Sequence, residues 1–68
     1  MRLLKSLARG LEALDYLVAQ RGPVKLTELA SALGVDKSNA SHLLRTLVAG
    51  GYADQVEGRR YQASTKVA

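Results

Sequence analysis

The stretch KSNASHLLRTLVA, residues 37–49, gathers short hydrogen-bonding side chains and cations on one side of a predicted helix. At about 100° per residue, that polar side comprises Ser38, Ser41, His42, Arg45 and Ala49, flanked near the N-terminus by Lys37 and Asn39. An asparagine amide can form two hydrogen bonds with adenine, and an arginine guanidinium can do the same with guanine. A lysine beside helix N-terminal amides can hold a phosphate. These residue types predict a helix that enters the major groove of DNA.

The opposite side of this helix is apolar and is predicted to pack on the domain core; it comprises Ala40, Leu43, Leu44, Leu47 and Val48. A solvated surface helix would show the same division, so the segment before it decides the interpretation. Residues 26–33 are predicted as a second helix that ends at Gly34 in the left-handed conformation. Asp36 is the predicted N-cap of the third helix. Two short helices joined in this way form a helix-turn-helix.

A first helix is predicted over residues about 6–21, with Ser6 as its N-cap and Gly22-Pro23 beyond its end. Its helical stripe, predicted to belong to the core together with Leu29, Leu33, Leu43, Leu44 and Leu47, consists of Leu7, Leu11, Leu14 and Val18. The apolar surface is wider than that stripe, because Leu3, Leu4, Tyr16 and Leu17 extend it. Two interpretations stay open: part of this helix packs on a partner subunit, or the helix crosses its own domain and is buried. The frequency of symmetric dimers favours the partner.

After Gly50-Gly51 the pattern changes from helical to extended, and residues 52–63 are predicted as a β-hairpin, the wing. Tyr52–Val56 and Arg59–Ala63 are its strands, and Glu57-Gly58 is its turn. Val24-Lys25-Leu26 is short and could pair as an edge strand. The order helix, helix, helix, hairpin predicts a mainly α fold, a winged helix-turn-helix that forms one domain over residues 1–68.

Arg59 and Arg60 follow the predicted turn of the wing. One hypothesis is that one or both contact backbone phosphates or enter the minor groove. The alternative is a charged hairpin that resists edge-to-edge aggregation. The contact hypothesis is favoured if the fold is correct, because backbone contacts dominate such interfaces.

Composition narrows the function classes further. Ten Lys/Arg against six Asp/Glu give a net charge of +4 at pH 7, which favours a polyanionic partner. The absence of cysteine excludes disulfides and thiolate metal sites, and the single histidine, His42, excludes histidine-rich ones. We therefore expect no metal and no cofactor. The apolar runs in MRLLKSLARG are too short for a signal peptide or a membrane span, so we expect a cytoplasmic protein without membrane contact.

Ser38 and His42 are four residues apart on one helical side, a spacing that a nucleophile and its base could share. No oxyanion donor or substrate pocket can be argued beside them, and 68 residues leave little volume for an enclosed site. We therefore predict that the chain is not an enzyme and has no catalytic residues.

From Ser6 to Val67, the chain resembles the N-terminal DNA-binding domain of the IclR family of bacterial transcriptional regulators. SLARGLEALDYL is similar to the family's first helix, LTELASALGVDKSNASHLLRTLVAGGY to its helix-turn-helix, and RRYQASTKV to the end of its wing. Three departures stand out. His42 replaces a frequent Arg, Asp36 replaces a frequent Pro, and Ala63-Ser64 replaces the usual Leu-Gly.

The resemblance implies transcriptional repression or activation by homodimers at pseudo-palindromic operator sites. It also implies that helix 1 and the region after the wing form the dimer contacts. A C-terminal effector domain for small aromatic or carboxylate metabolites would lie outside these 68 residues. The chain is then either an excised domain or a minimal standalone regulator, and excision is favoured because Thr65–Ala68 resembles the beginning of a further element.

The sequence thus predicts a sequence-specific double-stranded DNA-binding domain. The predicted DNA contacts are Lys37, Ser38, Asn39, Ser41, His42 and Arg45 on the recognition helix, with Arg59 and Arg60 on the wing. The rival hypothesis is a winged-helix protein-interaction module that uses helix 1 and does not bind DNA.

Overall fold

The computed structural model describes residues 2–67 and confirms the winged helix-turn-helix. In chain order the elements are α1 (Lys5–Ala19), β1 (Val24–Lys25), α2 (Leu26–Leu33), α3 (Lys37–Ala49), β2 (Ala53–Val56) and β3 (Arg60–Ala63). The bounds of α2 and α3 are those predicted. Helix α1 starts one residue earlier than expected and ends at Ala19, because Gln20 already adopts an extended backbone with φ −83° and ψ 150°.

The predicted N-cap of α1 is wrong. Leu4 occupies the N-cap position with no side-chain cap, and Ser6 lies inside the first turn of the helix. The reason is that the helical backbone already begins at Lys5, so Ser6 lies inside the helix and not at the junction where a cap acts. Serine's capping preference acts only where the backbone leaves the helical conformation.

The turn between α2 and α3 has the predicted geometry. Gly34 adopts the left-handed conformation at φ 69°, and the Val35 backbone N–H donates to the Ala30 carbonyl at 3.0 Å, which closes α2. Asp36 caps α3, because its Oδ1 accepts a hydrogen bond from the Asn39 backbone N–H at 2.7 Å. These contacts fix where α3 begins and how it leaves α2.

The three strands form an antiparallel sheet in the order β1-β3-β2, so Val24–Lys25 is the edge strand that the sequence allowed. Val56 pairs with Arg60, which leaves Glu57, Gly58 and Arg59 as the turn of the wing. Gly58 and Arg59 both have positive φ, 74° and 56°. Arg59 was predicted to begin the second strand, and this is wrong because the hairpin needs a third turn residue to close in this register.

The core lies where α2, α3 and the sheet meet the inner side of α1. Leu29 and Leu44 are its largest fully buried side chains, and Leu33, Leu43 and Leu47 pack half-buried against it, as predicted. The remaining buried apolar residues are Ala13, Leu17, Val24, Ala30, Ala40 and Ala53.

The predicted core stripe of α1 is wrong. Leu7, Leu11 and Val18 are 59%, 54% and 49% exposed, and Leu14 is half-buried. The helix instead packs through Ala13 and Leu17, because the small Ala13 allows close approach to the core. Periodicity detects an apolar stripe, but it does not decide which of two adjacent apolar sides faces inward. Much of the α1 apolar surface therefore remains exposed.

A C-terminal clasp, formed by Ser64 and Lys66, ties the end of the wing to the loop that follows α3. The Ser64 hydroxyl donates to the Gly51 carbonyl oxygen at 2.6 Å, and its backbone N–H donates to the Tyr52 carbonyl oxygen at 3.0 Å. The Lys66 ammonium donates to the Gly50 carbonyl oxygen at 3.2 Å and lies 4.1 Å from the centre of the Tyr52 ring. The clasp thus joins the C-terminus of α3 to the chain that leaves β3.

Replacing Ser64 by alanine should lower the free energy of unfolding by about 1–3 kcal/mol, because the Gly51 carbonyl would lose its partner in a part-buried hydrogen bond. Within residues 2–67 Ser64 is the one buried polar side chain, at 7% exposure, so water does not readily substitute. Urea denaturation followed by circular dichroism measures the change. Thr65→Ala, an exposed hydroxyl next to it, is the control, and equal midpoints for the two variants would contradict this role of the clasp.

Candidate nucleic-acid interface

Helix α3 presents most of its predicted DNA-contact residues to solvent. Its inner side is fixed by the fully buried Ala40 and Leu44. The exposed members of the predicted set are Lys37, Ser38, Asn39, His42 and Arg45. Ser41 is half-buried and lies toward the core side, so it is the least available member of the predicted set. The exposed side offers two short polar groups, an imidazole and a guanidinium along its first three turns.

Thr46 was not included in the predicted contacts, although it is exposed on the same side of α3 as His42. Its hydroxyl donates to the His42 carbonyl oxygen at 2.8 Å, so its only hydrogen is already engaged. What it offers a ligand is its methyl group and a hydroxyl lone pair. In the sequence, the i+4 spacing from His42 was enough to predict that Thr46 lies on this side of α3.

The N-terminus of α3 is partly occupied by its own cap. The Asn39 backbone N–H donates to the Asp36 carboxylate, so that amide is not free to bind a phosphate. Phosphate binding at this end would rest on the exposed Lys37 ammonium and on the amides that precede Asn39.

The two arginines of the wing lie in different backbone environments. Arg59 lies at the tip of the turn with a left-handed backbone, and Arg60 is the first residue of β3. Both side chains are exposed. The Arg60 Nε atom lies 3.4 Å from the position that a Cβ atom on Gly58 would occupy, so this guanidinium side chain leans along the turn.

An open apolar groove of about 1000 Å³ runs between α1 and α3. Its apolar lining includes leucines of both helices, Leu7, Leu11, Leu14, Leu43 and Leu47. Asn39 and His42 also line the groove, so two of the predicted DNA-contact residues adjoin the apolar surface of α1. Leu3 and Leu4, each 69% exposed, extend the apolar surface beyond the N-terminus of α1.

Two further findings concern other kinds of site. Between Arg2 and Val67 no group of three histidine, aspartate or glutamate side chains is placed to hold a metal ion. None of the helices in that range is long and apolar enough to cross a membrane.

An exposed polar helix that follows a helix-turn-helix, with a hairpin beside it, defines a winged helix-turn-helix domain. A sequence model of the IclR helix-turn-helix domain matches residues 6–57. Because this match spans most of the chain, the chain belongs to the IclR family. The resemblance noted in the sequence is thereby confirmed, and with it a domain for DNA-binding transcription regulation.

The chain is similar to several transcriptional regulators. HTH-type transcriptional regulator XynR of Escherichia coli K12 is 34% identical over 68 residues, which are 98% of this chain and 27% of that regulator. Transcriptional repressor IclR of Escherichia coli K12 is 40% identical over 52 residues, which are 76% of this chain and 19% of that repressor. The crystal structure of an IclR family transcriptional regulator from Brucella abortus matches with a TM-score of 0.87 and 31% identity, over 97% of this chain and 26% of that one.

These relatives are transcriptional regulators and not enzymes. The chain spans about a quarter or less of the length of the relatives that it matches.

Proposed function

We propose that this chain is a sequence-specific double-stranded DNA-binding domain that inserts α3 into the major groove. The observation that carries the proposal is the exposure of Ser38, His42 and Arg45 on the side of α3 opposite its buried residues. The N-cap at Asp36 and the left-handed Gly34 hold this helix at a fixed angle to α2. A helix anchored on one side and polar on the other can enter a groove without exposing the core.

Within this proposal the side chains have different tasks. Arg45 and Asn39 contact base edges, because a guanidinium and an amide can each form two hydrogen bonds with one base. Ser38, Ser41 and His42 add shorter contacts, and Ser41 contributes least because it is half-buried. Lys37 binds a phosphate beside the N-terminus of α3.

The wing supports this binding from the side. Arg59 stands at the tip of the hairpin, where it can reach the minor groove, and Arg60 contacts the backbone. Loss of a backbone contact weakens binding to all sequences alike, whereas loss of a base contact changes the preferred sequence.

The domain acts as a homodimer whose contact is α1. The exposed Leu7 and Leu11 and the half-buried Leu14 line an open groove that a second copy can cover. A glycine in a helix interior is about 1 kcal/mol less favourable than an alanine. A Cβ atom on Gly10 would meet no neighbour within 4 Å, so no close packing within this chain requires a glycine at this position. A two-fold axis between Gly10 and Leu11 would bring Leu7 of one copy opposite Leu14 of the other, with the glycine at the crossing point.

The same proposal extends to the whole regulator. The domain works without catalysis and in the cytoplasm, where it reaches its operator. Repression is the proposed outcome, because one of the relatives is named a transcriptional repressor. Effector binding belongs to a C-terminal domain outside these 68 residues.

Selection from a randomised duplex library, followed by sequencing and by fluorescence anisotropy in a salt series, tests the proposal. We expect an enriched motif with two-fold symmetry and an affinity that falls steeply with salt. Absence of binding even at low salt would contradict it. The exposed apolar surface of α1 would then favour the rival function, a protein-interaction module.

A further inference from the structure

The sheet register brings two cations together that are far apart in the sequence. Lys25 of β1 pairs directly with Arg60 of β3, although 34 residues separate them. Side chains of directly opposed residues in an antiparallel pair lie on the same face, with their Cβ atoms about 5 Å apart. Their neighbours Val24 and Tyr61 form the adjacent pair and pack against the core. Because side chains alternate along a strand, Lys25 and Arg60 face outward.

No carboxylate oxygen of residues 2–67 lies within 4.0 Å of a side-chain nitrogen of either cation. Among residues 2–67 the one ion pair within 4.0 Å joins Arg9 and Glu12, on α1. Asp54 pairs with Gln62 on the outer face, and it forms no ion pair within 4.0 Å with Arg60. Glu28 is the nearest acid in sequence to Lys25, and its carboxylate accepts a hydrogen bond from the Lys25 backbone N–H at 3.4 Å. Like charges directly opposite each other destabilise a sheet, so removing one of these two charges should not lower the stability of the free domain.

From this juxtaposition we infer that Lys25 and Arg60 form a phosphate-binding pair that holds the DNA backbone beside the wing. The inference rests on the proposed DNA-binding function and adds a residue, Lys25, to its interface. Lys25 also directly precedes α2, and Arg60 directly follows the wing turn, so the pair joins the helix-turn-helix to the wing at one point. A phosphate bound by both side chains would supply the anion that neither cation has within 4.0 Å among the described residues.

Replacing Lys25 should maintain or raise the stability of the free domain and at the same time weaken its binding to DNA. Lys25→Gln removes the repulsion in the free domain, so its thermal midpoint should equal or exceed that of the wild type. The same change removes a phosphate contact, so the slope of log K against log salt should become shallower by about 0.9. Affinity at 0.1 M salt should fall about 3- to 10-fold for the selected motif and for unrelated duplexes alike.

Two control variants test whether a change in the salt slope comes from the loss of this contact or only from the change in net charge or in folding. Arg21→Gln makes the same change in net charge at an exposed residue outside the pair, and it should leave the salt slope unaltered. Lys25→Arg keeps the cation and should keep the slope. Arg60→Gln should reproduce the Lys25→Gln slope, and it provides a second measurement if Lys25→Gln fails to fold.

The outcomes distinguish this inference from the function on which it rests. If Lys25→Gln and Arg60→Gln both retain the wild-type slope while Arg45→Ala still loses affinity, the phosphate pair is refuted and DNA binding stands. If the wild type shows no salt-dependent DNA binding, the proposed function itself fails. A shallower slope in both glutamine variants, with the Arg21→Gln slope unchanged, supports the pair.

Discussion

Leu44→Ala should remove most of the domain's stability at 25 °C. Leu44 is fully buried where α3 meets the core, and a leucine-to-alanine change at such a site lowers the free energy of unfolding by about 2–5 kcal/mol. A domain below about 70–80 residues rarely has more than about 3–5 kcal/mol in total. Loss of one core side chain therefore removes most of the stability. Circular dichroism and urea denaturation measure the effect.

Leu3→Ala is the matched control for this substitution. Leu3 is 69% exposed and precedes α1, so the same change should move the urea midpoint little when the protein is dilute enough to be monomeric. A Leu44→Ala protein that denatures at the wild-type urea concentration would contradict the description of the core.

Leu11→Glu should leave the fold intact and lower the affinity for an operator with two half-sites about 100-fold or more. Leu11 is 54% exposed, so a charged side chain there meets water in the monomer. In the proposed dimer it would lie at the contact between two α1 helices, where an unpaired carboxylate is strongly unfavourable. In a dimer, binding of one copy to its half-site holds the second copy at a high effective concentration near the other half-site. Separate monomers lose this advantage. Anisotropy titrations with one and two half-sites measure the difference.

Ala19→Glu introduces the same charge at an exposed residue of α1 outside the apolar stripe, and it should bind the two half-sites like the wild type. Sedimentation or light scattering follows the oligomeric state. If Leu11→Glu and Ala19→Glu bind with equal affinity, α1 is not the dimer contact.

The helix-turn-helix could be predicted from the sequence because its determinants are local. Gly34 and Asp36 act through the backbone of their own neighbours, and both behave as their residue types require. The same is true of the apolar side of α3, since residues on one helix side are related by a fixed angle. The bounds of α2 and α3 therefore followed from residue types alone.

The orientation of α1 could not be predicted in the same way. This helix has apolar residues over a wide sector, and only tertiary packing decides that Ala13 and Leu17 face inward while Leu7 and Leu11 face solvent. The larger side chains of the stripe made it the natural expectation for the core. An alanine at the point of closest approach allows α1 to pack on the other helices, and the leucines are left on the outside.

Contacts between residues that are far apart in the chain could not be predicted from the sequence either. The pairing of Lys25 with Arg60 depends on the register of a two-residue strand, which the pattern identified only as an edge. The buried hydroxyl of Ser64 depends on the path of the chain after the wing. Neither has a periodic signature, because each is set by loop closure and not by the repeat of a helix or strand.

The central claim is that α3 recognises base sequence, and Arg45 tests it most directly. Selection from the same randomised library should be repeated with Arg45→Ala, with the charge-matched Arg21→Ala as control. We predict that Arg45→Ala loses its preference at one base-pair position in each half-site, keeps the rest of the motif, and loses about 1–3 kcal/mol of binding free energy. An Arg45→Ala motif identical to the wild-type motif at every position would contradict base recognition by this side chain.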